Sequence, residues 1–170
     1  MGIDDRVEES KNWFERAMEK VPGYGGYKKK ELTRESDKTQ RVFIAERLEP
    51  CLGLLDDLKL DLIKAGKLDA LGDVDTLMRK LRKVRDRVQF ADYGYTGVFD
   101  ATKAGGQTLQ QLYDFDKSLE TEAAGIHDMA GTLAAGSPSL GSDIKLLDDR
   151  IEALDAHFTE RDHLITGAGR

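Results

Sequence analysis

Apolar residues at Val74, Leu77, Leu81, Val84, Val88, Ala91, Tyr95 and Val98 step along the chain in alternating threes and fours. That spacing keeps one narrow stripe of a helix facing a neighbour, and a strand, whose side chains alternate with period two, has no use for it. A second run, Leu140, Ile144, Leu147, Ile151, Leu154, Phe158, Arg161 and Ile165, is nearly as regular and is broken only by its arginine. Two looser stripes follow the same logic: Leu32, Glu35, Thr39, Val42, Ala45, Leu48, Leu52, Leu55, Leu58 and Leu62, then Leu112, Phe115, Leu119, Ala123, Ile126, Met129 and Leu133. No segment alternates for long enough to be a strand. The expected fold is all-α, an elongated antiparallel up-and-down bundle of four long helices, each roughly 40 to 55 Å in length. A shorter amphipathic helix precedes them.

Glycines and prolines fall between the stripes. Gly66 and Gly72 bracket the first turn, Gly105 and Gly106 mark the second, and Gly136, Ser137 and Pro138 the third, as helix stops and restarts require. Asp73 reads as an N-cap, and Thr108 to Gln111 as a capping box. Pro50 lacks an amide proton and crowds the carbonyl of Glu46, which predicts a kink or a split in its helix. The 170 residues make one domain. Within it, residues 1–27 are expected to form an N-terminal helix and a Gly/Tyr loop, 28–165 the bundle, and 166–170 a disordered tail.

In the amphipathic helix at about residues 4–20, Val7, Phe14, Met18 and Val21 share one side, with Trp13 beside them. Pro22 to Tyr27 ends it and lets the chain reverse. Folded back, this helix would reach the segment 90–101, where Gly94 and Gly97 would open a groove at a cost of ~1 kcal/mol each relative to alanine. The candidate docking groove is therefore Trp13, Phe14, Phe90, Tyr93, Gly94, Tyr95 and Gly97.

The net charge of −6 is unevenly spread. Residues 28–47 carry seven bases and four acids, and residues 78–87 carry six bases and one acid. In the antiparallel hairpin, Arg79, Lys80, Arg82, Lys83 and Arg85 are expected opposite Asp56, Asp57 and Asp61, which would neutralise them. Nucleic acid is not an expected partner, because the overall charge repels phosphates and no zinc-finger, helix-turn-helix or RNP motif is present. Tyr24, Gly25, Gly26, Tyr27, Lys28, Lys29 and Lys30 form a candidate interaction or anion site, a glycine-rich loop and lysines at a helix start. They do not spell a Walker A motif.

Catalytic chemistry finds little to use. A di-metal carboxylate bundle needs two Glu-x-x-His pairs, and Glu160 to His163 is the one such pair, off the apolar seam. Asp148, Asp149 and Glu152 read as a solvated face, and His127 and His157 as boundary residues. Cys51, among leucines, reads as a buried inert thiol. No catalytic residue, metal ligand, cofactor or small-molecule substrate is identified. The longest stretch free of charge, residues 129–142, is too short for a membrane span. A lone cysteine and an acidic start point to a cytoplasmic location.

The stretches Pro22-Gly-Tyr-Gly-Gly-Tyr-Lys28 and Ala91-Asp-Tyr-Gly-Tyr-Thr-Gly-Val-Phe-Asp100 resemble the signature segments of an uncharacterised family of bacterial all-helical proteins. That resemblance implies a helical fold and brings no activity, cofactor or catalytic residue. The layout is also similar to phage-shock-type membrane-remodelling proteins, whose motifs the chain lacks. The expectation is a non-enzymatic bacterial scaffold or adaptor acting through protein–protein surfaces or self-association. The alternative is a peripheral protein that lays its N-terminal helix and Lys28 to Lys30 on anionic lipid. A metal-binding bundle enzyme is the weakest reading.

Overall fold

The computed structural model describes the backbone of residues 25–92 and 106–166 and the side chains of 34–92 and 111–166. Four helices account for almost all of it: α1 (Gly25–Lys64), α2 (Leu71–Phe90), α3 (Gly106–Thr132) and α4 (Leu140–Thr166), with a short 3-10 turn at Leu68–Ala70. Among the described residues there is no strand. At ~1.5 Å per residue, α1 is about 60 Å long and α2 about 30 Å, so the helices are less equal than their stripes predict.

The first turn is made by glycine chemistry. Gly66 adopts φ 70°, its amide donates to Ile63 (3.1 Å), and the Lys67 amide reaches back to Leu62 (2.9 Å). This pair of bonds closes the orphan carbonyls at the end of α1 and requires a left-handed residue at the turn. In the turn from α3 to α4, at the same end of the molecule, Ser137 Oγ accepts the Ser139 amide (3.2 Å) and Ser139 Oγ donates to Asp143 (2.7 Å), organising the start of α4.

Several local expectations are corrected. Gly25, Gly26 and Tyr27 already lie in α1, so the loop expected through Tyr27 ends earlier. Gly72 lies inside α2; Ala70, not Asp73, is the residue at its N-cap, and Asp73 sits in the first turn instead. Thr108 is likewise inside α3, which begins at Gly106, so it is not the cap. Pro50 does not split its helix; it sits on the exposed side, where water can take over the Glu46 carbonyl. The stripe through Val74 continues only to Val88 before α2 stops at Phe90, and Tyr95 and Val98 lie outside the described residues.

The register follows from cross-helix bonds. Arg85 pairs with Glu49 and Lys59 with Asp75, so α1 and α2 are antiparallel. Arg161 pairs with Asp116 and His157 with Glu122, so α3 and α4 are antiparallel as well. Consecutive helices thus alternate in direction, as expected. Their arrangement around the bundle is less simple. α1 packs against α2 and α3, and α4 against α3 and α2. α2 and α3 are therefore diagonal across the bundle, and α1/α3 and α2/α4 are parallel neighbours.

The main apolar core includes Ile44, Leu48, Leu55, Leu62, Leu77, Leu81, Leu119, Ile126, Leu147, Ile151 and Phe158, and a second, small cluster of Leu112 and Ile165 is separate from it. Every residue of the α4 seam is buried, its arginine included. The α1 stripe is phased differently from expectation in its first half. Glu35 and Thr39 are exposed and Val42 is half-buried. The buried positions among the described residues of α1 are Asp37, Arg41, Ile44, Ala45, Leu48, Cys51, Leu52, Leu55, Leu58 and Leu62, so the stripe holds from Ala45 onward.

Candidate functional site

At the end of the bundle where α1 enters, the heptad positions turn from apolar to charged. Asp37 and Arg41 on α1 and Arg161 on α4 are buried, and Asp116 on α3 is nearly so. Arg161 is 1% exposed. Its Nε donates to Asp116 Oδ1 (2.5 Å) and its Nη2 to Asp37 Oδ1 (2.5 Å). Asp37 also accepts from Arg41 Nε (2.9 Å). Arg41 Nη1 then donates to the Val88 and Gln89 carbonyls in the last turn of α2, at 3.2 and 3.1 Å. A single line of charge-assisted hydrogen bonds thus touches all four helices, with two arginines against two aspartates.

Each link has a local reason. Asp37 and Arg41 are one helical turn apart, where side chains on a helix meet. Arg41 reaches the C-terminus of α2, where unsatisfied carbonyls and the helix dipole favour a cation. Burial holds the Asp116 carboxyl above the ordinary carboxylate range despite the opposing pull of Arg161. Glu120, one turn further along α3, is pushed the same way by burial, against the hydrogen bond it accepts from Gln40.

The layer extends sideways through Phe158. Arg161 and Arg87 lie 6.0 and 5.2 Å from its ring centroid, within the range where a cation is attracted to an aromatic face. Arg87 is held by Asp155, Thr159 (2.9 Å) and Asp162 (3.1 Å). Beside it opens a depression of about 400 Å³ lined by Asp86, Arg87, Phe90, Ala91, Asp92, Asp162 and Thr166. Phe90, assigned in sequence to a docking groove, is 71% exposed. The remaining groove residues Trp13, Phe14, Tyr93, Gly94, Tyr95 and Gly97, and Tyr24 of the candidate anion site, lie outside the described residues. Gly25 to Lys30 fall in the first turns of α1.

Three bases of α2, Lys80, Arg85 and Arg87, are neutralised, but by different partners from those expected, while Arg82 and Lys83 form no ion pair among the described residues. Lys80 bonds Asp148 (2.7 Å) and Glu152 (2.6 Å), Arg87 turns to Asp155 and Asp162, and Arg85 takes Glu49 and Asp86. Asp61 pairs instead with Lys64 on its own helix (3.0 Å). Asp56 and Asp57 are exposed and pair with none of these bases. The acids Asp148, Asp149 and Glu152 do come together, with Lys80 reaching two of them and Lys145 the third (3.1 Å). Glu160 and His163 are exposed, and His157 makes a 2.6 Å contact with Glu122. Cys51 is buried; burial pushes its thiol up to about 11, and it donates to the Arg47 carbonyl.

Asp37, Arg41 and Asp116 are the residues that apolar patterning misses. The signal that finds them is the step itself: back from Ile44, a step of three and then one of four fall on Arg41 and Asp37, and from Leu119 one step of three falls on Asp116. Among the described residues no helix is long and apolar enough to cross a membrane. Compared with protein-family models, with curated proteins and with solved structures, the chain finds no match.

Proposed function

We propose that the protein is a non-enzymatic helical scaffold that works through protein–protein contacts on the outer faces of the α1–α2 hairpin. The observation that carries this reading is the exposure of large apolar side chains on those faces. Phe90 is 71% exposed, and Leu60 and Ile63 are 54% exposed, although buried positions are available to leucines one or two residues away. Leu60 and Ile63 lie one turn apart on the same side of α1, and neighbouring exposed apolar side chains of this kind suit a contact surface. The polar groups that could serve chemistry are engaged with one another: the aspartates with arginines, the acidic trio with lysines, His157 with Glu122.

Photocrosslinking in cells tests the reading. Phe90 and Leu60 are replaced singly by a photoreactive phenylalanine, with Ser118, exposed on α3, as the control position. Discrete protein adducts at position 90 or 60 but not at 118 support it. Adducts no stronger than those of the control overturn it.

A further inference from the structure

The two exposed faces of the hairpin complement each other in charge and in apolar content. On α2, Arg82 and Lys83 are exposed, and neither has a hydrogen bond or ion pair among the described residues. Two turns after Lys83 comes exposed Phe90. On α1, Asp56 and Asp57 are exposed, also without a hydrogen-bonded or paired base among the described residues. Leu60 and Ile63, both exposed, follow one and two turns later. Read in the same chain direction, each face presents two like charges and then apolar side chains, Phe90 about 10 Å beyond Lys83 on α2, and Leu60 and Ile63 about 5 and 10 Å beyond Asp56 and Asp57 on α1. The charges are opposite and the apolar groups alike.

We propose that the partner on these faces is a second copy of this chain, with α2 of one molecule lying parallel along α1 of the next. This rests on the surface reading above and names its partner. Arg82 and Lys83 then face Asp56 and Asp57, and Phe90 reaches Leu60 and Ile63. Within one molecule this pairing does not form, because α1 and α2 run antiparallel and place residues 82–90 and 56–63 at different ends of the hairpin. The donor face differs from the acceptor face, so the contact is heterologous: each added copy leaves a free face at either side, and growth continues until a ring closes or a filament forms. Alternating orientation along the assembly follows from the parallel docking of oppositely directed helices. Surface charge pairs of this kind set register and are screened by salt.

Sedimentation velocity on the full-length chain at low and high salt, over a range of concentrations, tests the proposal. The wild type is expected to grow beyond monomer with concentration at low salt and to return to monomer at high salt. R82E/K83E and D56K/D57K should each be monomeric, since each sets like charges face to face. Mixed in equal amounts they should assemble, because each then supplies the face the other needs. Circular dichroism confirms that both variants fold, and all four positions are exposed, so the core is untouched. Phe90→Ala should weaken association about tenfold. A wild type that stays monomeric at low salt, reversal variants that associate like wild type, or a mixture that stays monomeric overturns the proposal. Crosslinks from Phe90 or Leu60 to other proteins, with a monomeric wild type, would leave the surface reading standing while removing the second copy as its partner.

Discussion

Replacing Arg161 with leucine isolates what the buried charge layer does for the fold. The substitution removes a guanidinium that donates to both Asp116 and Asp37 at 2.5 Å and leaves two carboxylates in a site built for three charged neighbours. Asp37 keeps Arg41; Asp116 loses the partner that offsets its burial. Breaking a buried pair by removing one side costs about 3–5 kcal/mol, which at pH 7 is a large share of a typical domain's stability. The cost has a defined pH dependence. Burial already raises Asp116, and without Arg161 it rises further. An acid whose folded pKa exceeds its unfolded value binds protons more readily when folded, so stability is gained as pH falls through that window and lost as pH rises through it. The deficit of Arg161→Leu should therefore shrink between pH 7 and pH 5. The double variant Asp116→Leu/Arg161→Leu should recover most of the loss at pH 7, because no orphaned charge remains and Arg41 still ties Asp37 to the end of α2. Urea unfolding followed by circular dichroism at both pH values measures all of these terms. A loss under about 1 kcal/mol for the single variant, or a double variant no better than the single, would refute the reasoning.

Other expectations are simpler. Gly66→Ala forces a side chain into φ 70° and should cost about 1 kcal/mol by thermal or urea unfolding. Phe158→Ala removes a fully buried ring that two arginines cover and should cost about 3–5 kcal/mol. Lys80→Ala breaks contacts to Asp148 and Glu152 that are partly open to water and should change stability by less than about 1 kcal/mol. Cys51, buried and with its thiol pushed up to about 11, should resist a thiol reagent in the native state and react at the rate of unfolding; rapid labelling of folded protein would show that its site is open.

The seam of α4 was legible in full because every position along it but one is apolar and its face meets two neighbours. The first half of α1 was not. A reading that looks for apolar residues prefers Val42 and passes over Asp37 and Arg41, whereas the fold places those charges on the heptad positions and solvates Glu35 and Thr39. The end of α2 was hidden because Ala91, Tyr95 and Val98 continue its step past Phe90. Charge pairing within the bundle was foreseen, but between α1 and α2, where much of it runs from α2 to α4. Seams report which face of a helix is buried; they do not report which neighbour covers it, and so the diagonal placement of α2 and α3 left no trace in the spacing. Phe90 shows the same limit, since its position in a run of aromatics says nothing of whether its ring meets core or water.

The diagonal placement of α2 and α3 makes the bundle two hairpins laid side by side, and the charge layer is divided between them. Asp37 and Arg41 belong to the first hairpin, Asp116 and Arg161 to the second, and Arg161 to Asp37 is the buried ion pair of this layer that joins the halves. Leucine facing leucine would let two such hairpins slide by a turn and find new partners of equal quality. An arginine that must meet an aspartate at one level permits no such slip. The layer therefore works as an address, written half on each hairpin, by which the two find one register. A chain severed between residues 92 and 106 would carry that address on its separate pieces.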